Sequence, residues 1–150
     1  MNKVVIDSSI ALKWFFPEPD SVRARSLLRD YQLGRLLILS PDLIVSELTN
    51  AVWWRQMNRK LAAWDGRAVL ETFHALRMTL VPSIELMDQA YWLATMTQQS
   101  VYDSLYVALA RREKCHFLTA DEQFAHAVRK VIPEVMDLSV WMKSADTRKR

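Results

Sequence analysis

Short apolar runs alternate along the chain with longer stretches in which apolar residues recur every three or four positions. Lys3-Val4-Val5-Ile6 is a β-branched run that ends abruptly at Asp7-Ser8-Ser9, which reads as a buried strand leading into a polar turn. Leu36-Leu37-Ile38-Leu39 repeats the pattern and is closed by Ser40-Pro41. Further short strands are expected at 79–81, 116–119 and 135–138. Between them lie helical patterns. Residues 10–16 are apolar and stopped by Pro17-Glu18-Pro19-Asp20. Residues 21–33 place Val22, Leu27, Leu28 and Tyr31 inward, with Gly34 as the C-terminal cap. A long helix over 42–60 carries an apolar stripe of Leu43, Ile44, Leu48, Ala51 and Val52. Helices are also expected over 64–76, 85–98, 102–114 and 121–130.

Short buried strands separated by helices specify an α/β protein with a parallel sheet covered on both faces. Crossovers in such a sheet are right-handed, and ligand sites collect at the carboxyl ends of the strands, near the point where strand order reverses. That rule directs attention to polar residues just past Ile6, Leu39 and Thr119.

Composition narrows the picture further. The chain has 150 residues, 51% of them hydrophobic, with 2 glycines and 5 prolines. This suits one compact domain over 1–142, followed by a basic tail over 143–150. No apolar run approaches the roughly 20 residues needed to span a bilayer, and Asp7 comes too early for a signal-peptide core. A cytoplasmic protein without membrane association is therefore expected. The single cysteine, Cys115, excludes an internal disulfide framework and a cysteine-rich zinc site. Net charge is +3 and much of it lies in the tail, so nucleic-acid contact is permitted but not argued by charge alone.

Four acids stand out by position. Asp7 follows the first strand, where a turn or cap role is also common. Glu47 falls on the helix face that carries Leu43, Leu48 and Ala51; a carboxylate there needs a partner or a cation, or else reaches solvent or Arg55 at the stripe's edge. Asp103 opens a helix whose inward face continues through Tyr106, Val107 and Ala110, although Ser100-Val101-Tyr102-Asp103 also has the form of a capping box. Asp121 follows the strand over 116–119, with capping of the next helix as the plainer role. Taken as a set, a doubly wound fold can bring all four to one pocket. Carboxylates so placed repel and acquire raised pKa values; a hard divalent cation, Mg²⁺ or Mn²⁺, relieves the repulsion. Such a site suits phosphodiester hydrolysis by a metal-bound water.

Four segments carry a resemblance. Val5 to Phe15 with Asp7, Pro41 to Ala51 with Glu47, Tyr102 to Ala110 with Asp103, and Phe117 to Phe124 with Asp121 together resemble the PIN-domain family, and within it the VapC-type toxins of prokaryotic toxin–antitoxin pairs. The similarity spans almost the whole chain in matching order. It implies a three-layer α/β/α sandwich with a mostly parallel sheet of about five short strands, metal-dependent endoribonuclease activity, a VapB-like antitoxin partner and a homodimer. It also implies that Asp7 and Asp103 are the principal metal ligands. Glu47 and Asp121 would complete the site, often through water, with Ser9 and Thr119 in supporting positions.

The remaining residues point less sharply. Lys13, Arg55 and Arg59 are candidate RNA-phosphate contacts, with salt bridging or simple solvation as the alternative. Trp53 and Trp54 are adjacent and cannot both face one core from a helix, so one of them is expected against a partner or a neighbouring helix. Trp14 and Phe15 would either line the pocket mouth, hold an antitoxin or merely pack. The three histidines show no metal-ligand spacing. Other readings of the acids are a DNA nuclease or a metal phosphatase on the same architecture, or a non-catalytic RNA-binding module. A phosphoaspartyl phosphatase would carry D-x-D where Asp7-Ser8-Ser9 stands, and a pure binding module gains nothing from Glu47 on an apolar face.

Overall fold

The computed structural model describes residues 2–141. Five strands, β1 (Asn2–Ile6), β2 (Leu36–Pro41), β3 (Thr79–Val81), β4 (His116–Thr119) and β5 (Val135–Asp137), form a single parallel sheet in the order β3-β2-β1-β4-β5. The helices are α1 (Ser8–Phe15), α2 (Ser21–Gln32), α3 (Leu43–Met57), α4 (Ala63–Ala75), α5 (Met87–Thr97), α6 (Val101–Glu113) and α7 (Glu122–Val128), with one 3₁₀ turn over Ser83–Glu85. The chain builds outward from β1 to β3, then returns to place β4 and β5 on the other side of β1.

Alternation along each strand divides the core into two. Val4, Ile6, Ile38 and Leu118 point to the layer made with α1, α2 and α3, where Ile10, Trp14, Leu27, Ile44 and Leu48 cover them. Val5, Leu39 and Phe117 point to the opposite layer, against Ala90, Leu93, Tyr106, Leu109 and Phe124 of α5, α6 and α7. The central helix of that layer, α6, is buried without interruption from Ser104 to Ala110. A helix apolar over most of its circumference belongs in such an interior position.

Most expected elements form within a residue or two of their predicted bounds. Gly34 has φ +68 and stands just past α2, where its N–H donates to the Tyr31 carbonyl at 2.9 Å. A side chain in that left-handed conformation would be strained. Three expectations need correction. Val22 is 77% exposed rather than inward, and Ala24 takes the buried place with Leu27: Val22 stands five positions before Leu27, about 140° away around the helix, whereas Ala24, Leu27, Leu28 and Tyr31 share one face. The helix from 42 ends at Met57 rather than Lys60; Arg59 adopts φ +54, which terminates it. The helix expected over 85–98 starts as a 3₁₀ turn, and α5 proper begins at Met87. The basic tail expected at 143–150 lies outside the described residues.

Candidate active site

Asp7 is the first residue beyond β1 and caps α1, its carboxylate accepting from the Ile10 N–H at 3.3 Å. The same Oδ1 accepts from the Ser9 hydroxyl, and Oδ2 accepts from Thr119 Oγ1 at 2.6 Å. Ser9 Oγ in turn accepts from the Ala120 N–H at 2.9 Å, and Thr119 Oγ1 accepts from the Asp121 N–H at 3.0 Å. The carboxyl ends of β1 and β4 are thereby laced together where strand order reverses. Burial raises the Asp7 carboxyl from 3.8 to about 6, against the lowering effect of these hydrogen bonds; the Glu47 charge adds to the rise.

Glu47 lies on α3, at the edge of the fully buried row Ile44, Leu48 and Val52. Its Oε1 accepts from the phenol of Tyr106, a residue of α6. Burial raises the Glu47 carboxyl, the Tyr106 hydrogen bond lowers it, and the Asp103 charge raises it. The Tyr106 phenol is itself pushed far up, first by burial and then by the Glu47 hydrogen bond and charge, so it remains a donor. Arg55 does not serve Glu47; it pairs with Glu18.

Asp103 sits in the first turn of α6, three residues before Tyr106 on the same helical face. The Ser100 hydroxyl caps the helix by accepting from the Asp103 N–H at 3.0 Å and also donates to Asp103 Oδ2 at 2.8 Å. Burial raises the Asp103 carboxyl, Ser100 lowers it, and the Asp121 charge raises it. Asp121 is exposed and caps α7, accepting from the Phe124 N–H at 3.0 Å, so the capping role open in the sequence is realised.

Hydrogen bonds link the acids in two pairs of elements: Thr119 binds both the Asp7 carboxylate and the Asp121 N–H, and Tyr106, one turn beyond Asp103 on α6, reaches Glu47. None of the four forms an ion pair with a lysine or arginine among the described residues. Their partners are hydroxyls and backbone N–H groups. As the side chains stand, no three acidic, histidine or cysteine residues among the described ones are gathered closely enough to enclose a cation. The donors are nonetheless all hard oxygens, and no lysine or arginine among the described residues pairs with them, a combination that fits Mg²⁺ or Mn²⁺ better than zinc or copper.

Sequence reading does not identify Tyr106 or Ser100 as site residues. Tyr106 counts there only as one position of an inward helical face; its i, i+3 spacing from Asp103 is the one available signal. The candidate RNA contacts fare differently. Lys13 is only 9% exposed, and its Nζ donates to the Pro19 carbonyl at 2.7 Å and lies 3.5 Å from Glu18 Oε2. Arg55 pairs with the same Glu18 at 3.1 Å and lies over the Phe16 ring at 4.4 Å. Both are held in the fold: the half-buried Glu18 carboxylate lies between the two cations and answers both. Arg59 is exposed at the end of α3. Trp14 is buried, its indole N–H donating to the Ala24 carbonyl at 2.9 Å, and so packs rather than lining the site. Trp53 and Trp54 are both exposed, at 55% and 48%.

Comparison with known proteins agrees with this architecture. The PIN domain family model matches residues 4–130. A VapC ribonuclease of Mycobacterium bovis is 30% identical over 122 residues, covering 79% of this chain and 85% of that protein. The crystal structure of PAE2754 from Pyrobaculum aerophilum superposes with a TM-score of 0.71 at 14% identity, covering 97% of this chain and 90% of that one. The structure of VapBC2 from Rickettsia felis, bound to a DNA fragment from its promoter, superposes with a TM-score of 0.59 at 14% identity over 90% of this chain and 98% of that one. The two structures share the fold, while the sequence matches carry the kinship: the chain belongs to the PIN-domain family, in its VapC branch.

Proposed function

We propose that the protein is a metal-dependent endoribonuclease and the toxin of a VapBC-type toxin–antitoxin pair. The observation that carries this reading is the placement of the four acids: Asp7 and Asp121 follow β1 and β4 and share the Thr119 hydroxyl, Glu47 on α3 is bonded to Tyr106 one turn beyond Asp103 on α6, and none of the four has a described lysine or arginine partner. Kinship with a protein named a VapC ribonuclease supplies the substrate class.

Asp7 and Asp103 would hold the cation directly, with Glu47 and Asp121 completing the shell, in part through water. When bound, Mg²⁺ or Mn²⁺ acidifies a water and offsets charge on the phosphoryl oxygens. The chain's own residues do the remaining work. Ser9 and Thr119 hold the Asp7 carboxylate from two sides and restrict its rotation. Ser100 does the same for Asp103. Hydrolysis at such a site would leave a 5′-phosphate and a 3′-hydroxyl.

An antitoxin partner and a homodimer belong to the same reading. The likeness to a VapBC complex supports the first, as do the exposed apolar side chains of α3 and α4, Trp53, Trp54, Met57 and Trp64. A cavity of about 250 Å³ lined by Val45, Leu48, Leu70, Phe73 and Leu80 adjoins this surface. Among the described residues no helix is long and apolar enough to cross a membrane.

The test is cleavage of cellular RNA by the purified protein, with sequencing of the new ends. Wild type with Mg²⁺ or Mn²⁺ should cut, EDTA should stop it, and Asp7→Asn should lower the rate by orders of magnitude while the protein stays folded. Full cleavage in EDTA overturns the metal mechanism. Cleavage of single-stranded DNA or a phosphate monoester in preference to RNA overturns the ribonuclease assignment.

A further inference from the structure

The bond between Tyr106 and Glu47 joins two helices that pack on opposite faces of the sheet. Glu47 belongs to α3, whose Ile44 and Leu48 fill one core, and Tyr106 belongs to α6, in the middle of the other. The two side chains meet beyond the carboxyl ends of the strands that separate those cores. The Tyr106 ring is fully buried and stacks on Phe117 of β4, with centroids 5.3 Å apart and planes 14° apart. Its phenol is thus fixed in direction before it meets the carboxylate. Glu47, by contrast, has three rotatable side-chain bonds and only partial burial, and no other side chain donates to it among the described residues.

We propose that Tyr106 is a positioning residue for the cation site: its hydroxyl selects the Glu47 rotamer that turns the carboxylate towards Asp7 and Asp103. The helix that carries Asp103 therefore also sets the direction of Glu47. One rigid element, α6, contributes an acid through its first turn and aims a second acid one turn later. With one Glu47 oxygen occupied by the phenol, the other is left for a cation or a water bound to it. Carboxylates that ligate metals are commonly held in this way by an outer partner, and losing that partner typically weakens metal binding roughly 10–100-fold.

This inference rests on the metal reading above, and one experiment separates the two. Mn²⁺ binding is measured by titration calorimetry on the full chain without RNA, for wild type, Asp7→Asn, Tyr106→Phe and Leu27→Ala. Tyr106→Phe removes one oxygen and keeps the ring stack. It should weaken Mn²⁺ binding about ten-fold or more while circular dichroism shows an unchanged fold. Leu27→Ala loosens the core on the α2 side, away from Tyr106, and lowers the melting temperature but should leave Mn²⁺ affinity within about two-fold. Wild-type affinity in Tyr106→Phe, alongside loss in Asp7→Asn, overturns the role of Tyr106 and leaves the metal site standing. Equal weakening in Tyr106→Phe and Leu27→Ala shows general loosening of the core and also overturns it. A wild type that takes up no Mn²⁺ overturns both proposals.

Discussion

Thr119 Oγ1 donates to Asp7 Oδ2 at 2.6 Å, linking the last residue of β4 to the acid that follows β1. The same oxygen accepts from the Asp121 N–H, so one fully buried hydroxyl serves two of the four acids. Thr119→Val keeps the shape and removes both bonds. It should cost about 1–3 kcal/mol in urea unfolding, since the Asp7 carboxylate and the part-buried Asp121 N–H each lose a partner. The Asp7 carboxyl should titrate higher still, because the Thr119 bond lowers it. Carboxyl NMR would read that change; an Asp7 titration identical to wild type would show that the bond is not made.

Asp7 itself should make the metal-free protein less stable as pH rises. Its folded pKa of about 6 lies above the ordinary 3.8, so the native state holds the proton more tightly than the unfolded chain. Stability from this group is complete below pH 4 and falls as pH rises through 6, by about 3 kcal/mol in the limit of full burial. Asp7→Asn should therefore be more stable than wild type at pH 7.5 in EDTA, with the advantage vanishing near pH 4. Denaturant melts across that range test it. An Asp7→Asn protein less stable than wild type at neutral pH would contradict the burial penalty.

Cation binding should reverse that deficit. At a hundred-fold excess of Mn²⁺ over its dissociation constant, the native state gains about 2.7 kcal/mol. For a domain of this size that is a rise of roughly 5–10 °C in melting temperature. Differential scanning fluorimetry should show the rise for wild type and little change for Asp7→Asn. Equal shifts in the two proteins would place the cation elsewhere.

Glu18 should matter to stability rather than to RNA. It answers both Lys13 and Arg55, so Glu18→Ala leaves a nearly buried lysine without its carboxylate. A loss of about 1–3 kcal/mol is expected by chemical denaturation. Lys13→Met should leave the KM for an RNA substrate within about two-fold of wild type. A many-fold rise in KM, with the fold intact, would restore Lys13 as a phosphate contact.

Much of this protein was legible before any coordinates. Alternating short buried strands and periodic helices implied a covered parallel sheet, because the side-chain periods of strand and helix are local properties of the backbone. The position of Asp7 and Asp121 just after strands was enough to put them at the sheet's carboxyl edge. Glu47 was visible as an acid on the flank of an apolar stripe. Local pattern could not say what that acid touches: Arg55, eight residues on along the same helix, was as plausible as any partner, whereas Tyr106 is 59 positions away. The exposure of Val22, by contrast, was open to reading from spacing alone: Ala24, Leu27, Leu28 and Tyr31 follow one helical face and Val22 does not lie on it.

What the sequence by itself determined was the set of elements, the class of fold and the identity of the four acids. Only the tertiary structure decided how those acids are held: Asp7 between Ser9 and Thr119, Glu47 by Tyr106, Asp103 by Ser100, and Lys13 and Arg55 drawn away to Glu18. The physical reason is one of range. Periodicity records which side of an element is apolar, over a few residues at a time. A hydrogen bond between side chains on different elements depends on strand order and helix phase together, and those are set by the packing of the whole chain.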